Sequence, residues 1–90
     1  MNTTALLCVL CDHQARFTDT DHGNRSYVAC SDEACGDYEI SKRAAKDIAS
    51  NAERKAALRH LVVQANAKGE VLEIVIGPDG QLQATSARKP

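Results

Sequence analysis

Tryptophan is absent from this 90-residue chain, and Phe17, Tyr27 and Tyr38 are its only aromatic side chains. So few large apolar groups give the N-terminal half too small a core to fold unaided, and some other source of stability is required. The chain also lacks any run near the roughly 18 consecutive apolar residues that a membrane span needs. Met1-Asn2-Thr3-Thr4 has neither the basic start nor the long apolar stretch of a secretory leader. These absences predict a soluble, cytoplasmic protein with no membrane partner. A nucleophile–base pair, a glycine-rich phosphate loop and enough chain to wall a substrate pocket are missing too, which argues against an enzyme.

Cysteine is present in a pattern. All four cysteines fall in two pairs, Cys8-Val9-Leu10-Cys11 and Cys30-Ser31-Asp32-Glu33-Ala34-Cys35, separated by an 18-residue insert. A C-x2-C answered by a C-x4-C suits a tetrahedral site in which each short loop supplies two thiolates to one Zn2+. Two disulfides would need an oxidising, secreted context, which the N-terminus does not suggest. A thioredoxin-like dithiol at Cys8 and Cys11 would lack its βαβ setting and leave Cys30 and Cys35 unexplained. A catalytic zinc keeps a position open, whereas four cysteines close the shell. Cys8, Cys11, Cys30 and Cys35 are therefore read as ligands of one structural zinc, whose binding energy supplies the missing folding energy. His13 is read as standing behind the ligands or simply exposed, not as a ligand. Asp19, Asp21 and His22 are read as polar turn residues, not a second site.

Between the pairs, Ala15–Thr18 and Ser26–Ala29 suit strands joined by a turn at Gly23-Asn24. Metal loops flanking a hairpin define a zinc ribbon. The run Cys8-x-Leu10-Cys11-x-His13-x-Ala15, then Tyr27-x-x-Cys30-x4-Cys35 and Ile40-Ser41, resembles the Ogr/Delta family of phage zinc-finger proteins. The likeness covers about residues 5–48. Val9 stands where that family usually has proline, the insert is shorter, and Tyr38 comes one position early for the family's phenylalanine. The resemblance implies one zinc on the same four cysteines and a role in activating phage late transcription.

Past residue 40 the pattern changes. Ser41 is a fitting N-cap, and Ala45, Ile48 and Ala49 keep one face of a helix. Nothing from 41 to 68 is proline or glycine, so one long helix competes with two. The Ser50…Glu53 capping box favours a break near Ser50. Ala57, Leu58, Leu61, Val62 and Ala65 form the next stripe, ended by Gly69 at the C′ position. Glu70–Ile76, the turn Gly77-Pro78-Asp79-Gly80 and Gln81–Thr85 read as a β-hairpin, with residues 86–90 as a disordered tail. The expected fold is thus α+β: a zinc ribbon at 1–40, then one or two helices packed with a hairpin at 41–90.

Charge divides the chain. Residues 1–40 carry two arginines against seven carboxylates, net −5, while residues 41–68 carry seven basic side chains against two acids, net +5. Phosphate contacts would come from Lys42, Arg43, Lys46, Arg54, Lys55 and Arg59; with what the resemblance implies, the expected role is a transcription-related, nucleic-acid-associated regulator. The alternative is an adaptor or inhibitor docking on a polymerase or other nucleic-acid-handling complex, through the acidic ribbon or the apolar helix stripe. That stripe would also serve a homo-oligomer.

Overall fold

The computed structural model describes residues 3–20, 24–31 and 35–88. Six strands, β1 (Thr3–Leu7), β2 (Gln14–Thr20), β3 (Arg25–Cys30), β4 (Asp37–Ser41), β5 (Glu70–Ile76) and β6 (Leu82–Arg88), make one sheet in sequential order. Helices α1 (Lys42–Ile48) and α2 (Ala52–Ala67) connect β4 to β5. Every neighbouring pair is antiparallel except β4 and β5, which run parallel because a helical crossover joins them.

This sheet overturns the expected arrangement of a ribbon followed by a separate helix-and-hairpin unit. The reason lies in β4. Tyr38-Glu39-Ile40 pairs with β3 on one side and with Leu72-Glu73-Ile74 on the other, so the two halves share a single sheet. The boundary drawn at residue 40 falls inside this strand. β6 also runs on to Arg88, since Ser86, Ala87 and Arg88 pair with Leu72, Val71 and Glu70; this corrects the reading of 86–88 as tail. Residues 89 and 90, and most of the Asp21–Asn24 turn, lie outside the described residues.

Partners in register share a face of a sheet. One row runs Phe17, Val28, Tyr38, Leu72 and a second Ile40, Ile74, Ala84. Both helices cover this face, α2 against β4, β5 and β6 and α1 against β4 and β5. They bring Ala44, Ile48, Leu58 and Val62 into one buried cluster with Val28, Tyr38, Ile40, Leu72 and Ile74. The opposite face is polar: Arg25 meets Glu39 at 3.3 Å and Glu73 at 3.6 Å, and the Tyr27 hydroxyl donates to Asp37 at 3.1 Å. Asp37 and Glu39 of the acidic ribbon are thereby engaged on the sheet itself.

The helices break where the sequence predicts, with one shift. Ser41 caps α1 through the Ala44 N–H. The cap of α2 is Asn51, whose side chain accepts from the Arg54 N–H, so the Ser50…Glu53 box does not form. Of the expected stripe, Leu58, Val62 and Ala65 are buried, while Leu61 turns outward at 41 % exposure. Gly69 takes φ +75° after α2 and Gly80 takes φ +81° in the β5–β6 turn, conformations that glycine adopts without a Cβ penalty. Among the described residues, no helix is long and apolar enough to cross a membrane.

Candidate metal centre

The strand order brings the metal loops to one end of the sheet. Cys8 and Cys11 lie between β1 and β2, Cys30 closes β3, and Cys35 precedes β4. Their four Sγ atoms lie within 4.8 Å of one another. Cys11 Sγ is 3.3 Å from Cys30 Sγ, and Cys8 Sγ is 3.6 Å from Cys35 Sγ. None is in a disulfide. A tetrahedron of sulfurs about 2.3 Å from a central ion has edges of about 3.8 Å. The Cys11–Cys30 and Cys8–Cys35 separations fall a few tenths of an ångström below that value and every pair lies within 4.8 Å, so the donor set fits one metal ion.

The first loop is shaped for this task. The Cys8 N–H donates to the His13 carbonyl at 2.6 Å, and the Asp12 N–H returns to the Cys8 carbonyl at 3.0 Å. Asp12 makes the turn at φ +63°, a conformation short polar side chains tolerate. The N–H groups of Leu10 and Cys11 then face Cys8 Sγ, and that of His13 faces Cys11 Sγ. Backbone donors of this kind favour the thiolate form.

Two side chains from the rest of the fold close over the loop. The Tyr38 hydroxyl lies in the core, accepts from the Val9 N–H at 3.1 Å and sits 3.2 Å from Cys8 Sγ. With its oxygen accepting from Val9, its proton is available to Cys8. From α2, an Arg59 Nη1 donates to the Leu10 carbonyl. Asn66 braces the second loop, accepting from the Asp37 N–H at 2.8 Å and donating to the carbonyls of Asp37 and Glu70.

The electrostatics of the cluster suit a cation. Cys8 is drawn down to about 4, chiefly by its hydrogen bond with Cys35, then by Tyr38 and the loop N–H groups, against the effect of burial. Burial first, with smaller contributions from the neighbouring thiols, pushes Cys11 up to about 12. Cys35 is pushed upward by its bond to Cys8 and by burial, and Tyr38 by burial and then Cys8. Sulfurs this close cannot all ionise alone. A divalent ion would reverse that balance and let Cys8, Cys11, Cys30 and Cys35 all serve as thiolates.

No protein-family model, curated protein or solved structure matches this chain. The site therefore rests on its own geometry.

The basic residues scatter. Lys42, Arg43 and Lys46 stand exposed on α1, and Lys55 is half-buried on α2. Arg54 pairs with Asp47 at 3.2 Å, and Arg59 holds the metal loop. Sequence reasoning placed Arg59 with the phosphate contacts and assigned no role to Tyr38 or Asn66. Tyr38 had a legible signal, a hydroxyl-bearing aromatic on the buried parity of a strand three residues past a ligand. Asn66 had none, because its partners lie at residues 37 and 70.

Proposed function

We propose that Cys8, Cys11, Cys30 and Cys35 hold one zinc ion as a closed structural centre, and that the protein works by binding, not by catalysis. The observation that carries this reading is the four-sulfur cluster with its shell of N–H and hydroxyl donors. Thiolates select soft ions, and zinc accepts a tetrahedron without electronic preference. With four protein ligands no position is open for water or substrate, so the ion stabilises and does not activate. Cobalt(II) substitution tests this: tetrahedral thiolate coordination gives intense visible bands, lost in Cys30→Ser. A weak octahedral spectrum contradicts the reading.

The working surface is α1 with its surroundings. Lys42 and Arg43 border a shallow depression shared with Arg25, and Lys46 extends the same charge. They suit the phosphates of a nucleic acid, in keeping with the transcription-related role that the resemblance to the Ogr/Delta family implies. Changing Lys42, Arg43 and Lys46 to Glu should abolish a salt-sensitive complex with duplex DNA; unchanged binding contradicts this surface. The internal engagement of Arg54 and Arg59 favours a second reading, a protein partner such as a polymerase subunit docking on the α2 face that carries the exposed Leu61. Leu61→Asp would then break the partner complex and leave DNA binding unchanged.

A further inference from the structure

The four cysteines are not equivalent. Cys8 and Cys35 are each 1 % exposed and belong to the core cluster, with Cys8 held beneath the Tyr38 hydroxyl. Cys11 and Cys30 are half-buried. Their sulfurs are 3.3 Å apart. The backbone fixes Cys30 beside the start of β2, just past the loop that carries Cys11: Cys30 is in register with Ala15, and both the N–H and the hydroxyl of Ser31 donate to the Gln14 carbonyl, at 3.2 and 2.8 Å. Joining these two sulfurs therefore requires no rearrangement of β2 and β3.

We infer that Cys11 and Cys30 are a peroxide-sensitive pair whose oxidation forms a Cys11–Cys30 disulfide, ejects the metal, and leaves Cys8 and Cys35 as thiols. The ejection, and the thiolate form in which these sulfurs react, rest on the zinc reading above; the choice of linkage rests on their separation and burial. In the first step the sulfur of Cys11 or Cys30 attacks a peroxide oxygen, the O–O bond breaks, and hydroxide leaves, giving a sulfenic acid. The sulfur of the other residue then attacks, the S–O bond breaks, and water leaves with the disulfide formed. Two electrons pass from the sulfurs to the peroxide. With zinc bound, two protons from solvent complete two waters per peroxide and two more protonate Cys8 and Cys35 as the ion departs.

A linkage within the first loop is disfavoured by the same geometry. Cys8 lies in the core at 1 % exposure, and bonding it to Cys11 would break its contacts with Tyr38 and Cys35. The Cys11–Cys30 bond leaves the core residues Cys8 and Cys35 in place. Added thiol reverses it by exchange, so the metal can be taken up again.

The test uses the full-length protein, its metal content measured at the start. Hydrogen peroxide is added in equimolar amount beside a chromogenic zinc chelator, followed by peptide mapping without reduction. The expected result is loss of two thiols per chain, release of the zinc in step, a single Cys11–Cys30 cross-link, and recovery of both thiols with dithiothreitol. A Cys8–Cys11 or Cys30–Cys35 link, oxidation of single cysteines without a cross-link, or resistance to peroxide would each overturn the inference. Protein isolated without metal would count against the zinc centre, while the mapped linkage would still decide this proposal.

Discussion

Tyr38 shows how one side chain ties the metal loop to the core. Its ring lies in the buried row across the sheet, and its hydroxyl answers both the Val9 N–H and Cys8. Tyr38→Phe keeps the ring and removes only those bonds, leaving a part-buried N–H unpaired at a cost of about 1–3 kcal/mol. Metal affinity should fall by roughly 10-fold, the usual scale for losing an outer-shell partner. Competition with a chelator of known affinity measures it, and unchanged affinity would remove Tyr38 from the site. Gly36 is a second such position. Its φ is +120°, and an added Cβ would lie 2.2 Å from Asn66 Oδ1. Gly36→Ala should therefore both strain the backbone and dislodge the Asn66 brace, lowering stability by about 2 kcal/mol or more in denaturant titration.

At the scale of elements, the short connection between α1 and α2 depends on a local cap. Asn51→Ala removes the acceptor for the Arg54 N–H and should cost about 1 kcal/mol, read as a lower thermal midpoint with the fold retained. Ser50→Ala, at the position the sequence pattern favours, should have little effect. Local signals of this kind were the most legible part of the chain: the Ser41 cap, the Gly69 terminus, the Pro78–Gly80 turn and both metal loops follow from spacing and residue type. The identity of β4 as an inner strand was not legible. Tyr38-Glu39-Ile40 reads only as extended chain leading into the Ser41 cap, and only pairing with a strand some thirty residues later reveals a sheet. Tertiary pairing also kept Ser86–Arg88 in β6, where composition suggested a tail. The cysteine cluster was readable because all its constraints lie in two short loops; the Arg59 and Asn66 supports were not, because each joins α2 to residues far away in sequence.

For the whole molecule, the continuous sheet changes what metal loss should do. A self-contained ribbon would unfold alone. Here Cys8, Leu10 and Cys35 share one core cluster with Leu58, Val62, Leu72 and Ile74, and β4 is hydrogen-bonded to strands of both halves. On the zinc reading, metal binding energy would be folding energy for the entire chain. Acid should act as chelation does: protons compete with the ion for the thiolates, so stability falls as pH falls, and faster for the metal-loaded protein than for a four-serine variant that never held the ion.

Native mass spectrometry of the intact protein, before and after a zinc chelator, tests this account most directly, since it reads metal stoichiometry and unfolding together. The account predicts one zinc per chain in a compact, low-charge distribution, shifting after chelation to a metal-free, highly charged one with no half-folded species. A compact chain that carries no metal, or one that loses its zinc and stays compact, would contradict it.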